Sequence, residues 1–207
     1  MMISRIFRPG FVAFDVGANI GAHSLIMGKY VGANGKVYAF EPDPQIFNRL
    51  QNNIIINRLI NVEALEFGLS NTSGEFPLYS APTDFPNQGM SSMYPRTELP
   101  FSTKIEVKVL DQVVEQKKLS RLDLIKIDTE GNDLNVLLGS EKSIKKFRPY
   151  IIFEYDRNIW SKNSFDFGTC EELFTRHNYL LYILQHSYLS KLNDEIPTFA
   201  NILAVPK

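Results

Sequence analysis

Cysteine is almost absent from this 207-residue chain, where Cys170 stands alone. An internal disulfide is therefore excluded, and so is a cysteine-rich zinc site. A lone cysteine reads as a small buried hydrophobe and fits a reducing compartment, so a cytoplasmic location is expected. Long apolar runs are missing as well: none approaches the ~20 residues of a membrane span, and the N-terminal run is too short for a signal peptide. Charge of one sign is also lacking. Lysine and arginine total 22 against 23 acidic residues, and a net charge of −1 gives no footprint for nucleic acid or an anionic membrane. Repeats and low-complexity tracts are absent. The first predicted strand begins almost at once, so no N-terminal cap domain is expected in this chain.

What is present is the composition of a globular protein, 44% hydrophobic and 22% charged, at a length that suits one α/β domain over 1–207. Apolar runs ending in polar residues predict strands over Phe11–Val16, Lys36–Glu41 and Asn61–Phe67. Between them, helical spacing covers Ala22–Tyr30, and Asp43-Pro44 supplies a capping residue and a first-turn proline for a helix to about Arg58. This alternation is the signature of a parallel sheet with right-handed crossovers. Strands are also predicted over Ser73–Tyr79, Lys104–Leu110, Leu122–Ile127 and Tyr150–Tyr155, with a late pair over Tyr179–Leu184 and Ala200–Val205. Helices are expected over Asp133–Phe147, broken at Gly139, and over Thr169–Asn178. The polar insert Ser80–Phe101 carries Pro82, Pro86, Pro95 and Pro100, and a loop of that length is expected to be a lid or substrate element. Its aromatics Phe85, Tyr94 and Phe101 are placed to cover an organic acceptor.

Three sites carry chemistry. The first is the turn Asp15-Val16-Gly17-Ala18-Asn19-Ile20-Gly21, at the carboxyl end of the first strand, where open α/β sheets bind ligands. Gly17 and Gly21 allow close backbone approach, and the next helix offers free N–H groups. A dinucleotide fingerprint would place glycine at Asn19, so a pyrophosphate has less room. Asp15 puts a carboxylate at the loop mouth, which repels phosphate and suits a ligand bearing an ammonium and a sulfonium. S-adenosyl-L-methionine is such a ligand. The second site is Glu41, 20 residues beyond Gly21, where an acidic side chain accepts hydrogen bonds from ribose hydroxyls. The third is Lys126-Ile127-Asp128-Thr129-Glu130-Gly131, whose carboxylates leave the sheet beside the expected cofactor. Asp128 and Glu130 read as sulfonium partners, as acceptors of a substrate proton, or as helix caps. His23 follows them as a candidate base, while His177 and His186 read as structural. Asp128, Glu130 and Glu154 are enough carboxylates for a metal, but no spacing compels one, and none is assigned.

Taken together, FDVGANIGAHSL, VYAFEPDP, GLSNTSGE, SSMYP, IKIDTEGNDLNVLLGS and PYIIFEY make the chain resemble the FkbM-type methyltransferases from about Phe11 to Tyr155. The resemblance implies a class I methyltransferase (Rossmann-like) fold, a mostly parallel seven-stranded sheet with an antiparallel last strand and helices on both faces. It also implies S-adenosyl-L-methionine as cofactor and methyl transfer to a hydroxyl of a sugar or secondary-metabolite-like small molecule. Carried over by motif, Asp15, Gly17, Ala18, Asn19 and Gly21 surround the methionine part, Glu41 the ribose, and Gly68, Leu69 and Ser70 lie near adenine; Asp128 doubles as cofactor contact and catalytic group. Two departures are Asp133, where the family often has glutamate, and the shorter N-terminal region. Rival readings are an NAD-dependent oxidoreductase, a nucleic-acid methyltransferase and a non-catalytic cofactor-binding module. The first is opposed by Asn19 and the second by the sparse basic residues around Lys145–Arg148.

Overall fold

The run VAFDV alternates between two faces and is buried on both, which marks a central strand of a sheet covered on each side. This is β1 (Val12–Val16), followed by α1 (Ala22–Val31), β2 (Lys36–Phe40), α2 (Pro44–Ile56) and β3 (Val62–Leu65). Next come four strands of a second sheet: β4 (Gly68–Ser70), β5 (Gly74–Ser80), β6 (Ser91–Ser92) and β7 (Phe101–Val109). The main sheet resumes after α3 (Leu110–Gln116) with β8 (Leu124–Ile127), then α4 (Asp133–Leu138), α5 (Glu141–Phe147) and β9 (Tyr150–Asp156). The chain ends with α6 (Arg157–Lys162), α7 (Phe167–Arg176), β10 (Tyr179–Leu184), β11 (Leu189–Lys191) and β12 (Phe199–Pro206). The structure is a computed structural model and describes residues 6–81, 91–97, 99–185, 189–192 and 196–207. Phe85 and His186, both singled out above, lie outside the described residues.

The main sheet runs β11-β10-β12-β9-β8-β1-β2-β3. Strands β9, β8, β1, β2 and β3 are parallel neighbours, and β12 enters antiparallel between β9 and β10. The antiparallel last strand is thus as expected, but the described sheet has eight strands where seven were expected. The addition is β11, a three-residue edge strand paired with β10. It is too short and too polar to show a strand period in sequence. The third predicted strand also ends early, at Leu65, because Gly68–Ser70 leaves the main sheet and pairs in parallel with β7.

Burial on each face explains the layering. Phe14, Val16, Phe40, Ile127 and Phe153 pack with Leu134, Trp160 and Phe174 on one side. Ala13, Val37, Ala39, Leu124 and Ile152 pack with Met27, Val31 and Leu50 on the other. Cys170 is fully buried in the first of these, the hydrophobic role its sequence context suggested. The predicted break at Gly139 separates α4 from α5, and no side chain fits there, since a Cβ would sit 2.1 Å from the Ser70 carbonyl oxygen. Asp43 caps α2 as its position predicted, accepting from the backbone N–H of Gln45 (2.9 Å) and Ile46 (3.3 Å).

Candidate cofactor and catalytic site

The carboxyl ends of β1, β2 and β8 open on one cleft. Gly17 and Asn19 of the first turn, Glu41 beyond β2, and Asp128 to Glu130 beyond β8 line its polar side. Phe40, Pro42, Leu69, Leu78 and Met93 form its apolar wall, the last three brought there by the second sheet and the segment that follows it. Asp43 fastens that sheet in place: its second oxygen accepts from the hydroxyls of Ser80 (2.8 Å) and Ser91 (3.3 Å).

The glycines of the turn serve the fold as much as any ligand. Gly17 has φ +75°, and a Cβ on it would lie 1.8 Å from the Asp128 carbonyl oxygen, where the ends of β1 and β8 converge. Gly21 is likewise left-handed, and its missing side chain leaves room for Leu50. Asn19 takes φ 52°, the conformation a dinucleotide glycine would supply, yet keeps its side chain. Its N–H donates to Glu41 Oε2 at 2.8 Å, while Oε1 of the same carboxylate accepts from the Asp43 N–H at 2.9 Å. A carboxylate offers about four lone-pair sites, so these two donors do not exhaust its acceptor capacity. Burial pushes the Glu41 carboxyl up to about 7, with the two backbone donors opposing the shift.

Asp15 requires a correction. It is wholly buried beneath the loop and is not at its mouth. The side chains of Asp15 and Lys126 face one another across the β1–β8 register, and the ammonium lies 3.2 Å from Asp15 Oδ1, near enough for charge pairing but not aligned as a hydrogen bond. The other Asp15 oxygen accepts from the Ser24 hydroxyl at 2.5 Å. Lys126 also lies 3.3 Å from Asp128 Oδ2 and 3.5 Å from the Gly17 carbonyl. Burial opposes the charge on this lysine, but the two carboxylates hold its pKa above the ordinary value. The negative charge assigned to the loop mouth is therefore met by a buried cation, while the Asp128 side chain is 40% exposed.

His23 is half-buried against the same group; burial and Lys126 lower its pKa, so it stays neutral near pH 7. Glu130 is not free: Arg96 donates to its carboxylate at 3.0 Å and to its carbonyl at 2.6 Å. Gly68 and Leu69 line the cleft. Ser70 does not; it lies farther along β4, buried against Gly139. Ala18 and Gly21 stand behind the turn, packed into the core. His177 pairs with Glu141 at 3.0 Å, the structural role its position suggested.

The end of the long insert is bolted to α4. Tyr94 donates through its hydroxyl to Asn132 Oδ1 (3.2 Å) and accepts from Asn135 (3.0 Å), and Asn132 donates to the Leu69 carbonyl (2.9 Å). Phe101 is 59% exposed and leans on Tyr79, so it covers no part of the cleft. Lys126, Arg96 and Asn132 are the site residues that sequence reasoning missed. Only Lys126 left a signal, as a charge inside the otherwise apolar strand LIKI.

These features accommodate the cofactor that the sequence suggested. An apolar wall suits a flat base, Glu41 retains acceptor capacity for vicinal hydroxyls, and the glycine turn and Asp128 flank the remaining space. No helix among the described residues is long and apolar enough to cross a membrane. Comparison with known proteins agrees with the geometry. The methyltransferase sdnD of Sordaria araneosa is 34% identical over 159 residues, covering 62% of this chain and 60% of that protein. The hexuronic acid methyltransferase AglP of Haloferax volcanii is 29% identical over 153 residues, covering 73% and 59%. The chain thus spans about 60% of the length of these relatives. The crystal structure of methyltransferase FkbM from Methylobacillus flagellatus superimposes with a TM-score of 0.60 at 17% identity, covering 97% of this chain and 48% of that one, and shows the shared fold. The family model for the methyltransferase FkbM domain matches residues 15–181, and the chain belongs to that family.

Proposed function

We propose that the protein is an S-adenosyl-L-methionine-dependent methyltransferase that methylates a hydroxyl of a sugar or secondary-metabolite-like small molecule. The observation that carries this reading is the single cleft where the glycine turn, Glu41 and Asp128 meet an apolar wall. Glu41 would hold the ribose, Gly17 and Asn19 the methionine part, and Leu69, Leu78 and Met93 the adenine. When bound, the cofactor supplies an electrophilic methyl group. Asp128, anchored by Lys126, would flank that group and orient the acceptor, while His23 behind it stays neutral. Aligning two bound reactants accounts for most of the acceleration, on the order of 7–11 kcal/mol. The insert, pinned through Tyr94 and Arg96, would form the acceptor side of the site, and the hexuronic acid named for the Haloferax relative suggests a sugar acid as a first acceptor to try.

Calorimetric titration tests the cofactor: S-adenosylhomocysteine should bind and NAD should not. Transfer of a labelled methyl group to glucuronic acid and to simple pyranosides tests the acceptor. Binding of NAD in preference to S-adenosylhomocysteine would overturn the reading.

A further inference from the structure

Besides Asp156, which caps α6, four carboxyl groups gather near the ends of β8 and β9, Asp128 and Glu130 of them lining the cleft, and three of the four are already committed. Asp128 is paired with Lys126 at 3.3 Å, and Glu130 with Arg96 at 3.0 Å. Asp133 is buried, and its Oδ2 accepts from the Thr129 hydroxyl (3.1 Å) and the Gly131 N–H (3.3 Å). Glu154 is the fourth. Among the described residues no group donates a hydrogen bond to it and no cation pairs with it.

The sheet register decides where Glu154 stands. Val16 pairs with Ile127, and Ile127 with Phe153. One residue farther along each strand lie Gly17, Asp128 and Glu154, a row across the carboxyl edge that runs from the cofactor turn outward. Lys126 contacts both Asp15 and Asp128, which fixes the face on which this row's side chains lie, and Glu154 follows Ile152 on that face. The far end of the row is the exposed Asn201 of β12, opposite Glu154. The Oδ1 of Asp133, unlike its Oδ2, is buried with no hydrogen-bond partner among the described residues.

From this arrangement we infer that Glu154 is the proton acceptor for the substrate hydroxyl, a role the sequence had assigned to Asp128 or Glu130. The inference rests on the methyltransferase reading above. As the acceptor oxygen bonds to the methyl carbon, the carbon–sulfur bond breaks and sulfur keeps its electron pair. The hydroxyl proton passes to the Glu154 carboxylate, which later releases it to water. Charge balances, since a cation and a carboxylate become a neutral thioether and a carboxylic acid. Burial, then the carboxylates of Asp128, Asp133, Glu130 and Asp156, push the Glu154 carboxyl up to about 8. That suits it to take a proton near neutral pH, because base catalysis works best when the pKa lies close to the operating pH. His23 is the weaker candidate, since burial and Lys126 lower its basicity.

Two measurements on the whole chain test this. Carbon-13 NMR of the glutamate side-chain carboxyls, with Glu154 assigned by its loss in Glu154→Gln, should give a midpoint near 8 in the free protein. A midpoint in the ordinary glutamate range, about 4.3, overturns the inference. In parallel, Glu154→Gln should lower turnover about 100- to 10,000-fold with glucuronic acid or whichever pyranoside the wild type methylates. Its affinity for S-adenosylhomocysteine should stay within about twofold, which also shows that the variant folds. Glu154→Asp should keep the rise of kcat/KM with pH, at reduced rate, while Glu154→Gln loses it. Turnover in Glu154→Gln close to that of wild type sinks the assignment. If the wild type methylates none of the acceptors, the acceptor reading fails while the titration still decides for or against Glu154.

Discussion

Replacing Lys126 by methionine tests the charge arrangement under the glycine turn. In the native protein the ammonium sits 3.2 Å from Asp15 and 3.3 Å from Asp128, with the lysine side chain 7% and the Asp15 side chain 0% exposed. Lys126→Met keeps the length of the side chain and removes the cation. The carboxylate of Asp15 then retains only the Ser24 hydroxyl in a site without water access. Removing one partner of a buried ion pair costs about 3–5 kcal/mol, because the remaining charge is desolvated and uncompensated. Asp128 adds little to this, since solvent screens a carboxylate that is 40% exposed. Against a total stability of about 5–15 kcal/mol the loss is large. For a chain of this size it corresponds to a fall in Tm of about 6–20 °C. Urea unfolding followed by circular dichroism measures it directly. The double variant Lys126→Met/Asp15→Asn removes the stranded charge as well and should recover at least about half of the loss, a coupling that a double-mutant cycle isolates. If Lys126→Met unfolds within about 0.5 kcal/mol of wild type, or if Asp15→Asn adds its own cost without recovery, the buried pair is not what holds the turn.

Other outcomes follow from the same geometry. Glu41 and Asp133 are buried carboxyls pushed up to about 7, so the folded chain binds their protons more tightly than the unfolded chain does. Their contribution is therefore full below the unfolded values near 4.5 and 3.8 and is lost as pH rises through about 7. Each is worth on the order of 3 kcal/mol, and the urea midpoint of the free protein should be higher at about pH 5 than at about pH 8; a midpoint that rises over that interval contradicts this. Gly17→Ala forces a Cβ to within 1.8 Å of the Asp128 carbonyl oxygen at a positive φ, so the ends of β1 and β8 must separate. A loss above about 2 kcal/mol in thermal unfolding is expected, the left-handed backbone alone accounting for about 1–2 kcal/mol. Arg96→Ala unpins Glu130 and the end of the insert, and should accelerate proteolysis around residues 91–97 while sparing the core, as read by limited digestion with mass spectrometry. Equal digestion of variant and wild type would show that the pair does not hold the insert.

The alternation of strand and helix through the first 65 residues, the Asp43-Pro44 helix start and the break at Gly139 were legible because each is a local signal: periodicity, a cap, a residue without a side chain. The position of the glycine turn and of Glu41 was legible for the same reason, since a turn between adjacent elements carries its own spacing from Gly17 to Glu41. What chain order could not supply was which charges meet. Asp15 and Lys126 are 111 residues apart, and only the parallel pairing of β1 with β8 brings them together under the loop, turning an apparent ligand-facing carboxylate into a buried ion pair. Arg96 and Glu130 meet because the segment between β6 and β7 lies against the turn after β8, where Ser92 also donates to the Glu130 carbonyl. Glu154, on a strand that reads as simply apolar, stands next to Asp128 at the carboxyl edge of the sheet through a register set by Ile127 and Phe153. Local chemistry in the sequence therefore determined the fold and the glycine turn. Strand pairing decided the protonation and partnership of each carboxylate, because electrostatic energy depends on distance through space and on burial rather than on position along the chain.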